Sequence, residues 1–89
     1  MPGIPSTPDA GSRIVRVDVS DDVLVVQLVD GRTLSVPLAW YPRLLDGSAA
    51  QRANWVLSGG GFGIHWPELD EDLHVEGLLA GAKSSEARV

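Results

Sequence analysis

Apolar residues along this chain recur first with a period of two. From Arg13 to Val19, Val15, Val17 and Val19 fall on one side while Ile14, Arg16 and Asp18 fall on the other. That alternation predicts a half-buried strand with the three valines inward. Ser20-Asp21-Asp22 reads as a turn, because such side chains bond their own backbone. Val23 to Val29 is apolar on both faces and rich in β-branched residues, the pattern of a central strand at least partly covered on both sides. Asp30-Gly31 gives a hairpin signal, since glycine tolerates the positive φ of a tight turn. Thr33 to Leu38 is a third strand with Leu34, Val36 and Leu38 inward. Pro37 offers no N–H, so this strand must end there or lie at an edge.

Past Leu38 the period lengthens. Trp40 to Leu45 reads as a loop entering one helical turn, with Pro42 at the first helical position and Asp46-Gly47 as the stop. Ser48 and Gln51 form a capping box for a short helix over 49–54, and Trp55-Val56-Leu57 extends it or forms a strand. Gly59-Gly60-Gly61 is a plain turn: the lysine and spacing of a phosphate-binding loop are missing. Phe62, Ile64 and Trp66 alternate inward along a final strand that Pro67 closes. Leu69 and Leu73, then Val75, Leu78 and Leu79, are spaced for a helix face, which predicts a terminal helix ended by Gly81. The expected core is Leu24, Val26, Leu28, Leu34, Val36, Ile64, Trp66, Leu73 and Leu78. The fold expected is α+β: a small antiparallel sheet, a three- to four-stranded meander, with two or three short helices.

Composition narrows the partners. The 89 residues make one domain over 13–81, between a disordered N-terminal tail, 1–12, and a flexible C-terminal tail, 82–89. There is no cysteine, so neither a disulfide nor a thiolate metal site can form. The opening residues lack the pattern of a signal peptide, and no apolar run spans a bilayer, so a cytoplasmic protein with no membrane partner is expected. The net charge of −5 argues against direct nucleic-acid binding. Residues 13–52 carry five arginines and five acids and balance. The excess acid lies in Glu68, Asp70, Glu71, Asp72 and Glu76, five acids within nine residues, with His65 and His74 beside them.

That run is the candidate chemistry. His65, Glu68, Asp70, Asp72 and His74 are acceptable metal ligands, but they fit no known ligand spacing, so no metal or other cofactor is expected. Glu68 with Asp70, or Asp70 with Asp72, could pair for acid–base work, yet a domain this small has little room for a cleft. Acids here also suit the positive end of the helix expected next. A triad of Ser58, His65 and Asp70 lacks the strand–elbow–helix context that exposes a serine. Trp55 and Trp66 read as core, whereas Trp40 with Tyr41 reads as a contact patch at a loop.

Several motifs together resemble the small bacterial family called domain of unknown function 2442. They are Asp30-Gly31 between two strands, Tyr41-Pro42-Arg43-Leu44, Trp55, the run Gly63-Ile64-His65-Trp66-Pro67-Glu68-Leu69-Asp70-Glu71-Asp72-Leu73, and Gly77-Leu78-Leu79. The resemblance covers about residues 13–80 and implies an antiparallel sheet with short helices packed on it. It also implies a place in small two-gene modules for which a toxin–antitoxin role has been suggested. It supplies no catalytic residues. Some members look fused to a helix-turn-helix segment; none is visible among these residues, so DNA binding is not expected.

The functional expectation is a non-enzymatic protein-interaction module, antitoxin-like, with another protein of basic surface as partner. Its contact residues would be Glu68, Asp70, Glu71 and Asp72, with His65, Trp40 and Tyr41. The alternative is a small metal- or ligand-binding enzyme centred on His65 and the carboxylates of Glu68, Asp70 and Asp72.

Overall fold

A computed structural model describes residues 10–81. Two antiparallel three-stranded sheets enclose one core, and three short helices pack around them. The first sheet holds β1 (Ile14–Val19), β2 (Val23–Leu28) and β3 (Thr33–Pro37) in chain order. Next come α1 (Pro42–Leu45) and α2 (Ala49–Ala53). The second sheet holds β4 (Val56–Ser58), β5 (Gly63–Trp66) and β6 (Glu71–His74), again in chain order, and α3 (Val75–Ala80) follows. The α+β class and its antiparallel meander are as expected, but among the described residues the strands number six and divide between two sheets. Among the described residues no helix is long and apolar enough to cross a membrane, which says nothing of a β-barrel.

The first sheet follows the apolar pattern except at one point. Leu24, Val26, Leu28 and Val36 are buried, with Leu34 packed beside them. In β1, however, Ile14 is 3% exposed and Val15 56% exposed, the reverse of the alternation read from the sequence. The register slips between Ile14 and Arg16: Ile14 faces Leu28 while Arg16 faces Gln27. Val15 is the extra residue of a β-bulge, and a bulge inverts the side-chain phase on one side of itself. The β2–β3 connection is a three-residue loop. The Gly31 N–H donates to the Leu28 carbonyl at 3.0 Å, and Gly31 sits at φ 97°, the left-handed position such a loop requires. Pro37 ends β3, an edge strand, where its missing N–H costs nothing. The outer face of β2 is only partly covered: Val23 and Val25 are half-buried and Val29, just beyond it, is exposed.

The second half departs further from expectation. Phe62 to Trp66 is not the last strand, because the acidic run does not start a helix. Pro67 to Asp70 form a tight turn, and Glu71–His74 return as β6, with Ile64 facing Leu73 and His65 facing Asp72. The four-residue spacing of Leu69 and Leu73 is a coincidence of turn and strand. The helix begins only at Val75, with Glu76 as its one first-turn acid, so Glu68, Asp70 and Asp72 do not serve a helix terminus. Leu79, expected inward, is exposed. Of the segment read as an N-terminal tail, 10–12 form a 3-10 turn with Ser12 buried under Arg32, whose Nη2 donates to the Ser12 hydroxyl at 2.9 Å. The rest of that tail, and the C-terminal tail over 82–89, lie outside the described residues.

Arg52 joins the two sheets. It is a buried charge on α2, and its guanidinium donates to the Ser20 carbonyl at 3.0 Å and to Asp21 at 3.2 Å, holding the β1–β2 turn. Its own carbonyl accepts the Trp66 indole N–H at 3.0 Å. The capping box of Ser48 and Gln51 forms as expected and fixes the helix that carries Arg52.

Candidate functional site

Four of the five clustered acids lie on one hairpin. Glu68 and Asp70 are in its turn, and Glu71 and Asp72 open β6. Trp66 O accepts the Leu69 N–H at 3.2 Å, closing the turn, and Asp70 takes φ 51°, a left-handed conformation that Asp tolerates better than most side chains.

The α1–α2 segment clamps this tip at three points. Arg43 on α1 donates to the Asp70 carbonyl at 2.8 Å and reaches its carboxylate at 3.4 Å. Asn54, just after α2, donates to the Glu68 carboxylate at 2.7 Å. Leu69 sits against Gly47, where an added Cβ would stand 2.9 Å from a Leu69 methyl and make that side chain shift. Asp72 pairs across the strands with His65, oxygen to Nδ1 at 2.8 Å. Val56, His65 and Asp72 therefore form one row on the outer face of the second sheet, while Leu57, Ile64 and Leu73 form a row on the other face, where Ile64 and Leu73 are buried and Leu57 is left exposed at the edge.

The edge of β6 is also defined. The Val75 N–H donates to Phe62 O at 2.9 Å, which sets the phase of the β5–β6 ladder. In that phase Glu71 and Leu73 turn their backbone groups to β5, and Asp72 and His74 turn theirs outward. Asp72 and Glu76 are exposed beside this edge.

Tyr41 is not on an exposed patch. A 3-10 turn over Leu38–Trp40 rolls Leu38 and Tyr41 into the core, and Tyr41 is 3% exposed. Burial, and then the nearby Glu71 carboxylate, push its phenol pKa above the ordinary value of 10.0. Trp40 is half-buried and packs against the same core, as does Trp55. The structure thus brings Tyr41 and the hairpin together, but with Tyr41 beneath the surface.

Other candidate chemistry separates. Asp70 belongs to Arg43 and not to His65, so Ser58, His65 and Asp70 do not align as a triad. Glu68, Asp70 and Asp72 each engage a different partner. Among the described residues no three His, Asp or Glu side chains converge as metal ligands. The sequence offered Gly47 only as a helix stop and Arg43 only as part of a family motif, and gave neither these nor Asn54 a place at the site. Arg43 had a signal for the site, as the lone base between Arg32 and Arg52 in a chain with a long acidic run; nothing in the sequence tied Asn54 or Gly47 to the hairpin.

The fold recurs in solved proteins. A protein of unknown function from Rhodospirillum rubrum matches with a TM-score of 0.70 at 32% identity, over 83% of this chain and 92% of that one. An uncharacterised protein from Chromobacterium violaceum, solved by solution NMR, matches with a TM-score of 0.69 at 24% identity, over 83% of this chain and 70% of that one, and shows the fold alone. Comparison with curated proteins gives no match. The model of the family described as protein of unknown function, DUF2442, matches residues 14–84, and the chain belongs to that family.

Proposed function

We propose that this chain is a non-enzymatic protein-interaction module. It docks a basic protein surface on the β5–β6 hairpin and the open edge of β6, as the antitoxin-like member of a two-protein bacterial system. The observation that carries this reading is the charge placed on one edge. Glu68, Asp70, Glu71, Asp72 and Glu76 gather there, five acids within nine residues, with Arg43 paired to Asp70. Asn54, a neutral amide, holds the Glu68 carboxylate without cancelling its charge. Such a field speeds encounter with a cationic surface and selects against anionic ones, and salt weakens it.

The test is co-purification with the product of the adjacent gene, followed by association kinetics at low and high salt. Asp72→Asn with Glu76→Gln keeps size and hydrogen bonding but removes two charges from exposed positions. The association rate should fall with added salt and fall again in the double variant, with the melting temperature unchanged. A rate indifferent to both changes would falsify the acidic edge as the docking surface.

A further inference from the structure

The two sheets have four edges, and three carry devices that discourage pairing with another strand. The β1 edge has the Val15 bulge and the Arg16–Asp18 ion pair. The β3 edge ends in Pro37 and shows Thr33 and Ser35. The β6 edge bears Asp72 and is followed by Glu76.

The β4 edge has none of these. Its residues are Val56, Leu57 and Ser58, with Val56 49% and Leu57 40% exposed. The ladder phase makes the edge more specific. Since Ile64 turns its backbone to β6, Gly63 and His65 turn theirs to β4 and pair with Ser58 and Val56. Leu57 is left with its N–H and C=O pointing away from the sheet, and no described residue bonds either group.

From this geometry we infer that β4 pairs with β4 of a second copy, antiparallel about a twofold axis at Leu57. One outward N–H and one outward C=O on the same residue form the self-complementary unit that a twofold axis requires. Leu57 then exchanges both hydrogen bonds with its symmetry mate, and Val56 lies opposite the mate's Ser58. No charged side chain of the strand meets its own copy, which pairing through β6 would force on Asp72. Leu57 is covered by its own copy on one face and Val56 by the mate's Ser58 on the other, and the β4–β6 sheets of the two copies become one of six strands. An edge this short makes a small interface, so the dimer is weak and reversible. Each copy carries a net charge of −5, so the dimer tightens as salt rises. The inference is independent of the docking reading, which concerns the opposite edge of the sheet and has the opposite salt dependence.

Sedimentation equilibrium of the full chain, from low micromolar to near-millimolar concentration and at two salt levels, is the test. The expected result is a shift from the 9.5 kDa chain mass toward twice that mass, favoured by salt. Val56→Glu should abolish the dimer, while Asp72→Asn should leave it in place. The chain has no cysteine, so Leu57→Cys reports contact directly. It should form a disulfide-linked dimer under mild oxidation, and a Val29→Cys control should not. A monomer at every concentration and salt level overturns the inference. So does a dimer that survives Val56→Glu in folded protein. Should Val56→Glu fail to fold, failure of Leu57→Cys to cross-link faster than Val29→Cys overturns it instead.

Discussion

Trp66 is where the packing of the two halves is most open to measurement. Its side chain is 0% exposed, and its indole N–H ends on the Arg52 carbonyl at 3.0 Å. Trp66→Ala removes the largest fully buried side chain of the core and should cost about 3–5 kcal/mol. A domain of this length has a total stability of roughly 4–11 kcal/mol, so the variant should be largely unfolded or close to it. Trp66→Phe separates the contributions. It keeps most of the packing but leaves the Arg52 carbonyl without its donor, at about 1–3 kcal/mol. With an m-value near 1 kcal/mol per molar urea, that lowers the unfolding midpoint by about 1–3 M. Far-ultraviolet circular dichroism is the signal to follow, because the change removes one of the three tryptophans that fluorescence would report. An unchanged midpoint in Trp66→Ala would refute the burial of this side chain between the sheets. Equal losses in both variants would show that the hydrogen bond, not the packing, carries the effect.

Arg52→Ala should cost about 2–4 kcal/mol, since it strips the donors from the Ser20 carbonyl, whereas Asp21→Asn should cost under about 1 kcal/mol because Asp21 is largely in water; paired urea titrations check this. Tyr41 has a folded-state pKa above its unfolded value of 10.0, so its contribution is intact below pH 10 and lost as pH rises through the folded pKa. Urea midpoints measured from about pH 8 to about pH 11 should fall less steeply in Tyr41→Phe, and equal slopes would argue against a buried phenol. Calorimetric titration with Zn²⁺ should show no sub-micromolar site; a tight site abolished by His65→Ala would revive the metal-enzyme alternative.

What was legible in the sequence followed from local rules. The β2–β3 hairpin, the Ser48–Gln51 box, Pro42 at a helix start and Gly81 after a helix end each depend on a few neighbouring residues. The core from Leu24 to Val36 showed because β2 and β3 keep an unbroken period of two. The errors arose where a distant contact decides the local shape. The β1 bulge inverts Ile14 and Val15, yet the valine alternation on either side looks regular. The helical spacing of Leu69 and Leu73 was misleading because Pro67 and the left-handed Asp70 turn the chain back as a strand. Tyr41 looked like a loop anchor until the 3-10 turn before it directed it inward. The acidic residues of the candidate surface were plain in the sequence. Their clamp was not, because Arg43 and Asn54 reach Asp70 and Glu68 from 27 and 14 residues away.

That clamp alters the physical case for the acidic edge. Crowded carboxylates left to themselves would repel and loosen the hairpin, and relief of that strain would then drive partner binding. Here the strain is already met within the chain: Arg43 binds the tip, Asn54 takes Glu68 and His65 takes Asp72. The hairpin is therefore presented in a fixed shape. On the docking reading proposed above, a basic partner would gain from long-range attraction and pre-organisation, with little ordering left to offset. Breaking the clamp should show this. Arg43→Gln makes the edge more negative, so charge alone predicts faster association with a basic partner. Pre-organisation predicts instead that complexes dissociate faster, because the tip is no longer held at the Asp70 carbonyl. Dissociation at least as slow as in the unmodified protein would leave the fixed hairpin without a role in recognition.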